Sequence, residues 1–183
     1  MKNKTLLSSF SVFDLIMIAV ISALGVATKP IVVPLVHIVT GPLFIPGGAV
    51  AGGFYMMWIV IGKGIVKKNG TGTLIGIVQS ILVIATGAMG SHGIMSLISY
   101  TLPGLSADLI FLISKNKNYN LLHYMFGCIT ANMVGTLISN LMFFRLPQVT
   151  VIVILSASAL SGALGGIIAY SLIKILNNMN VII

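Results

Sequence analysis

Asp108 is the first residue whose type and position suggest chemistry. It lies inside a long apolar run, and the only other acidic residue of the chain is Asp14. A carboxylate in such surroundings is costly to ionise, so it is expected to have a charged or hydrogen-bonding partner. Two roles are open for Asp108. It contacts a cationic or amine-bearing ligand, or it is a structural acid paired with a lysine or bonded by a hydroxyl.

Uncharged polar side chains form a second group of candidates. Asn132, Thr136 and Asn140 are spaced four residues apart, and Gln79 lies in another apolar run. A helix places residues at that spacing on one face, and a polar face in lipid turns toward other helices or a cavity. These residues can line a ligand site, or they can join helices through hydrogen bonds worth about 0.6–2 kcal/mol each. Both roles stay open.

Aromatic side chains and a histidine complete the candidate ligand contacts. Tyr55 and Trp58 lie in one apolar run and Tyr100 in another. Aromatic faces stack on flat rings and attract cations, although rings that only face lipid or the helix core would look the same in the sequence. His92 ends a glycine-rich link at residues 87–93 and is a candidate contact at that link.

The spacing of the reactive residue types does not predict a catalytic or metal centre. Ser91 and His92 are adjacent, and neighbouring side chains on a helix point about 100° apart, so they are a poor nucleophile–base pair. The three histidines, His37, His92 and His123, have no cysteine or acid near them at metal-ligand spacing. No Walker A phosphate-binding loop occurs. We therefore expect no catalytic residue, no metal and no cofactor, and any ATP hydrolysis belongs to another chain.

The composition places these residues in a membrane protein. Of the 183 residues, 57% are hydrophobic and 7% are charged, whereas soluble domains carry about 25% charged residues. So few charges cannot cover a water-facing surface, so lipid surrounds most of the chain. The length fits one domain spanning residues 1–183. The net charge of +8 comes from short basic clusters between apolar runs, which fits membrane topology better than nucleic-acid binding.

Six apolar segments are candidates for transmembrane helices, since about 20 residues cross a ~30 Å hydrocarbon core. We predict an all-α integral membrane protein, a six-transmembrane-helix bundle with helices at approximately 12–28, 46–66, 70–87, 92–114, 119–144 and 149–177. Ser11 and Asp14 have the spacing of a capping box at the first helix. Residues 29–45 contain three prolines, which argue against a continuous helix and predict a long outer loop.

The basic residues orient this bundle. If the N-terminus is cytoplasmic, only Lys29 and Arg145 of the ten basic residues face outward. The other eight are cytoplasmic: Lys2, Lys4, Lys63, Lys67, Lys68, Lys115, Lys117 and Lys174. Because positive charge is enriched on the cytoplasmic side of membrane proteins, we predict a multi-pass cell-membrane protein with both termini in the cytoplasm.

Small residues form a stripe along the first predicted helix. Ala19, Ala23 and Ala27 are spaced four residues apart, and small residues at that spacing let another helix approach closely in lipid. The approaching helix belongs either to this bundle or to a partner. A second small-residue face on the last helix consists of Ser158, Gly162 and Gly166. We interpret this second face as internal packing.

The chain resembles the substrate-binding S components of energy-coupling factor (ECF) vitamin transporters, which are six-helix membrane proteins with both ends inside. Their first helix carries an Ala-xxx-Ala motif that docks on the shared transmembrane coupling subunit, and the alanine stripe matches it. The chain is most similar to the YkoE type, which is linked to thiamine or its hydroxymethylpyrimidine part. Asp108 falls where that type carries a Glu. The similar stretches are Thr40-Gly-Pro-Leu43, Gly53-Phe-Tyr-Met-Met-Trp58, Lys68-Asn-Gly70 and Gly104-Leu-Ser-Ala-Asp108-Leu-Ile-Phe111.

This resemblance implies a transport mechanism with partner chains. The S component captures a small water-soluble vitamin or related molecule, with thiamine or a precursor favoured, at the outer face under residues 29–45 and 87–93. It then associates with the coupling subunit and two ATPase subunits, which tip it in the membrane and release the ligand inside. The candidate ligand contacts are Tyr55, Trp58, Gln79, His92, Tyr100, Asp108, Asn132 and Asn140.

Two other functions compete with this interpretation. A small self-contained carrier or channel would need paired charges or an internal repeat, and the sequence shows neither. An intramembrane enzyme would need converging catalytic groups, for which two acids and scattered histidines are a poor basis.

Overall fold

The computed structural model describes residues 10–43, 45–88, 92–114 and 118–179 of the chain. Within these ranges six helices follow one another: α1 (Val12–Thr40), α2 (Gly47–Val66), α3 (Thr71–Thr86), α4 (Ser96–Leu112), α5 (Leu121–Ser139) and α6 (Gln148–Asn178). A 3-10 turn at Gly41–Leu43 follows α1, and a π-helical segment at Asn140–Phe144 continues α5. The prediction of an all-α fold is confirmed.

Five spans in the described part of the chain are long and apolar enough to cross a membrane. The exception is α3, whose 16 residues reach only about 24 Å at 1.5 Å per residue. The predicted number of apolar helical segments therefore agrees with the structure, with α3 as a short member of the bundle. Which termini face the cytoplasm stays a prediction, and Lys2, Lys4, Lys115 and Lys117, which carry part of it, lie outside the described residues.

The first helix begins with the predicted capping box. The backbone N–H of Ser11 donates to Asp14 Oδ2 at 2.7 Å, and the backbone N–H of Asp14 donates to Ser11 Oγ at 3.2 Å. These two bonds satisfy donors that the first turn of a helix otherwise leaves unpaired. Asp14 also forms an ion pair with Lys68, which joins the start of α1 to the link between α2 and α3.

The prediction of an outer loop at residues 29–45 is wrong, because α1 continues to Thr40 with Pro30 and Pro34 inside it. Each proline removes one backbone N–H and one helical hydrogen bond. An irregular chain in lipid would leave many more backbone groups without partners, so the helix persists through both prolines. At 29 residues, α1 is about 44 Å long. Lys29 therefore lies on a helix and not in a loop.

The bundle is organised around α2, which packs against each of the other five helices. Close backbone contacts hold it to α6: a Cβ added at Gly53 would lie 1.9 Å from the carbonyl oxygen of Ser161. The predicted internal role of the small-residue face on α6 is confirmed, because Ser158, Gly162 and Gly166 are all buried. Small residues thus let the backbones of α2 and α6 approach closely.

Candidate functional site

A cavity of about 580 Å³ opens at one end of the bundle. The second half of α1, the first turns of α2, the end of α5 and the first turns of α6 contribute to its wall, together with His92 before α4. Small-molecule sites usually have volumes of about 300–1,000 Å³ and mostly apolar walls with a few polar groups. The polar side chains here are Lys29, His37, Tyr55, His92, Thr136 and Ser139. We call this end of the bundle the cavity end.

The second half of α1 supplies the charged group of the cavity. Lys29, Val33 and His37 all line the wall, and their spacing of four residues keeps them on one face of the helix. Lys29 Nζ donates to the hydroxyl of Tyr100 at 2.8 Å and lies 4.5 Å from the centre of that ring. It also lies 5.2 Å from the ring centre of Tyr55. The two rings hold the ammonium group through cation–π contacts.

The first turn of α2 forms another part of the wall. Gly47 has to be a glycine, since a Cβ there would lie 2.8 Å from His37 Cβ and 3.0 Å from its backbone. Gly48 has no such constraint, and its carbonyl accepts a hydrogen bond of 2.7 Å from the Tyr55 hydroxyl. No side chain caps this helix start. The Ala49 N–H donates to the carbonyl of Pro46 at 3.0 Å, and the positive end of the α2 dipole borders the cavity.

His92 closes one side of the cavity from the segment before α4. Its backbone N–H donates to Ser96 Oγ at 2.9 Å, and its ring stacks on Phe143 of the π-helical segment with a centroid distance of 4.0 Å. Burial, followed by the nearby positive charge of Lys29, lowers the pKa of His92 below its ordinary value of 6.5. The imidazole is therefore neutral at pH 7. The neighbouring Ser91 lies outside the described residues.

Asp108 does not line this cavity, since its carboxylate is engaged elsewhere. Lys63 Nζ lies 2.8 Å from Asp108 Oδ1, and both side chains are almost fully buried. The backbone N–H and the hydroxyl of Thr73 each donate to Asp108 Oδ2 at 2.8 Å, and the Gly72 N–H donates to Oδ1 at 3.2 Å. Of the two roles open to Asp108, the structure shows the structural ion pair. We call this region, where α2 ends and α3 begins, the ion-pair end.

Two predicted contacts, Asn132 on α5 and Asn140 at the start of the π-helical segment, lie directly behind the cavity wall. The Asn132 amide donates to the carbonyls of Ala49 at 3.0 Å and Ser158 at 2.8 Å, so it joins α2, α5 and α6. Asn140 Oδ1 accepts the N–H of Leu146 at 3.0 Å and fixes the link between α5 and α6. Ala49 and Leu146 line the cavity. The two asparagines therefore position its wall through their hydrogen bonds.

Trp58 and Gln79 lie at the contact of α1 with α2 and α3. Trp58 Nε1 donates to Thr28 Oγ1 at 2.9 Å. Gln79 is buried beneath Gly25, where an added Cβ would lie 2.2 Å from its amide nitrogen. Neither side chain lines the cavity. Of the eight predicted ligand contacts, the structure brings Tyr55 and His92 into the wall, and Tyr100 reaches it through Lys29.

Three polar lining residues were not predicted, Lys29, His37 and Ser139, whereas Thr136 belongs to the polar face that the sequence indicated. The sequence carried a signal for Lys29, because a single lysine within a long apolar stretch is expensive in lipid and therefore marks a functional position. The prediction of a loop at residues 29–45 hid that signal. His37 and Ser139 reach the cavity only through the way the helices pack.

The alanine stripe lies on the outside of the bundle. Ala19, Ala23 and Ala27 are all exposed, whereas α1 uses another face, including Ile18, Ser22 and Gly25, to pack on α2 and α3. The stripe is therefore available to a partner.

Comparison with known proteins gives the fold and the family. The family described as "ABC-type cobalt transport system, permease component" matches residues 13–134, more than half of the chain. A solved structure titled "Crystal structure of an S-component of ECF transporter" superposes with a TM-score of 0.77 at 19% sequence identity, covering 94% of this chain and 88% of that one. None of the curated proteins matches the chain. The chain therefore belongs to the family of permease components of ABC-type cobalt transport systems, and it has the fold of an ECF transporter S component.

Proposed function

We propose that this protein is the substrate-binding S component of an ECF-type importer and that it binds a small organic molecule in the cavity described above. The observation that carries the proposal is this cavity of about 580 Å³ at one end of a bundle with the S-component fold. Its wall combines apolar surface with a few polar groups, as small-molecule sites do. If the positive-inside orientation is right, the cavity faces outward.

An organic cargo fits the lining residues better than a bare metal ion. The family description names cobalt, but the described ranges contain no group of three or more His, Cys, Asp or Glu residues that could hold a metal. The cavity wall offers His37 and His92 next to the ammonium group of Lys29. A divalent cation would be repelled by that ammonium.

Thiamine is the specific cargo that the resemblance implies. The volume of the cavity and the aromatic ring of Tyr55 suit a flat heterocycle. However, thiamine carries a cationic ring, and Asp108, the acid expected to bind it, is paired with Lys63 instead. Thiamine and its neutral hydroxymethylpyrimidine part are therefore the first pair of compounds to compare in binding measurements.

The test of the cavity is a substitution that fills it. Thr136 lines the cavity, whereas the next residue, Leu137, is exposed on the lipid-facing side of α5. We expect Thr136→Trp to weaken ligand binding by about tenfold or more, because a large ring occupies space that the ligand needs. Leu137→Trp is the matched control and should bind normally. Mass spectrometry of small molecules that co-purify with each variant measures the effect, and equal retention by both variants would refute the site.

We further propose that the exposed alanine stripe docks on the transmembrane coupling subunit of the importer, which in turn works with two ATPase subunits. Small side chains on an exposed helix face permit close helix contact in lipid. Ala23→Leu should abolish co-purification with the coupling subunit and leave ligand binding intact. Ala85→Leu is the control, since Ala85 is exposed on α3 away from the stripe. A complex that survives Ala23→Leu unchanged would contradict this role.

A further inference from the structure

The cavity contains a positive charge that no acidic side chain of the protein neutralises. Lys29 is the one lysine or arginine among the described lining residues. The sequence has only two acids, and both are engaged elsewhere, Asp14 with Lys68 and Asp108 with Lys63. The groups that hold Lys29 are the hydroxyl and the ring of Tyr100 and the ring of Tyr55. These contacts position the ammonium but leave its charge in place.

The backbone around Lys29 adds to the positive character of the cavity. Gly47 and Gly48, in the first turn of α2, line the same wall, and no side chain caps that helix. The positive end of a helix dipole favours an anion. Two helical segments also end nearby, α1 and the π-helical segment, and a carbonyl in the last turn of each accepts an N–H group. His37 O accepts the N–H of Gly41, and Asn140 O accepts the N–H of Arg145 at 2.7 Å.

Thr136, Ser139 and His92 add polar groups without a charge to the wall. Thr136 and Ser139 carry hydroxyls, and the lowered pKa of His92 leaves its imidazole uncharged at pH 7. The rest of the wall is largely apolar, with Val33, Ile45 and Ile154 among its members. A ligand that matches this surface has one charged end and an apolar body, since one lysine balances one negative charge.

We propose that the cargo is an organic monoanion, whose carboxylate pairs with Lys29 beside the first turn of α2 and whose apolar body packs against Tyr55, Val33 and Ile154. This inference rests on the proposed function, and it names the chemical class of the cargo. It predicts that cationic compounds of the same shape are rejected, because they would place a second positive charge against Lys29 with no acid nearby.

The test uses matched compounds that differ only in charge. The purified protein is incubated with an equimolar mixture of carboxylic acids, their primary amides and the corresponding amines, including indole-3-acetate, indole-3-acetamide and tryptamine. Bound compounds are recovered and quantified by mass spectrometry. The variants are Lys29→Met, which removes the charge, and Lys29→Arg, which keeps it. Lys174→Met is the control, because Lys174 is exposed near the end of α6, outside this cavity.

We expect the wild-type protein and Lys174→Met to retain acids over amides and amines. Lys29→Met should lose about 30-fold or more in affinity for the acids, as is typical when one partner of a buried charge pair is removed. It should bind the amides as before, and Lys29→Arg should keep the preference for acids. The ratio of acid to amide is measured within each sample, so it does not depend on how much of a variant folds.

Three outcomes would count against the inference, and they differ in meaning. Retention of amides or amines as strongly as acids by the wild-type protein overturns the anionic cargo but leaves the proposed binding function intact. A preference for acids that persists in Lys29→Met overturns the role of Lys29. Retention of no compound by the wild-type protein counts against the proposed function itself, and the inference falls with it.

Discussion

A lysine lies inside the bundle near each end of α2: Lys63 of α2 itself at one end and Lys29 of α1 at the other. The two lysines have different partners. At the ion-pair end, Lys63 is 1% exposed and bonds to Asp108, which is further held by Gly72 and Thr73. At the cavity end, Lys29 has a phenol hydroxyl and two aromatic rings and no carboxylate. A charge whose partners are all within the protein stabilises the fold, whereas a charge that faces an open cavity without a counter-ion is free to bind a ligand.

The location of Asp108 explains this difference. Its carboxylate accepts the N–H groups of Gly72 and Thr73 in the first turn of α3, a helix that begins after Gly70 without a capping side chain. Asp108 therefore acts as a capping group supplied from α4 and also neutralises Lys63. The same acid cannot serve the cavity, so the charge of Lys63 is neutralised within the bundle and the charge of Lys29 is not.

The largest expected effect on stability follows from removing the charge of Asp108. Asp108→Asn leaves the ammonium of Lys63 buried without a counter-ion, and breaking a buried ion pair in this way costs about 3–5 kcal/mol of the free energy of unfolding. Thermal unfolding of the detergent-solubilised protein should show a large drop in midpoint. The double variant Lys63→Met with Asp108→Leu should recover part of the loss. Normal stability together with lost ligand binding would instead make Asp108 a ligand contact.

An intermediate effect is expected at Asp14, which is also an acid paired with a lysine but lies closer to the surface. Asp14→Asn weakens the capping box with Ser11 and the ion pair with Lys68. The expected loss is about 1 kcal/mol, because caps contribute about that much and ion pairs that water still reaches contribute little. The thermal midpoint measures it, with Lys68→Met as the control that removes the ion pair and leaves the capping box in place. A loss as large as that of Asp108→Asn would contradict the expectation that the partly exposed pair of Asp14 and Lys68 contributes less than the buried pair of Asp108 and Lys63.

The smallest effect on stability is expected at Lys29, whose ammonium group in the cavity wall has no carboxylate partner. Lys29→Met removes a charge that no carboxylate offsets, and such replacements by apolar side chains are often neutral or stabilising. We expect the thermal midpoint to stay the same or to rise slightly, whereas Lys63→Met should lower it by leaving Asp108 unpaired. If Lys29→Met destabilises the fold as much as Lys63→Met does, the two lysines have the same structural role and the contrast between the two ends is wrong.

Features that depend on spacing within one helix could be predicted from the sequence. The capping box of Ser11 and Asp14, the packing face at Ser158, Gly162 and Gly166, and the helical segments were all predictable, because they depend on spacing along one helix. The continuation of α1 through Pro30 and Pro34 was not, since local rules for proline favour a break and only the absence of water in lipid reverses them. Because residues 29–45 were predicted to be a loop, Lys29 was not recognised as a residue of the cavity wall.

The sequence by itself determined that the chain forms a helical bundle in lipid, with a net positive charge and only two acids. Hydrophobicity, charge count and helical spacing can all be read along the chain. Only the tertiary structure decided which lysine receives an acid. Asp108 is 45 residues from Lys63 in sequence and 79 from Lys29 (108 − 29), and the packing of α2, α3 and α4 brings it to Lys63. A carboxylate can neutralise a lysine only at contact distance, and that distance depends on how the helices pack.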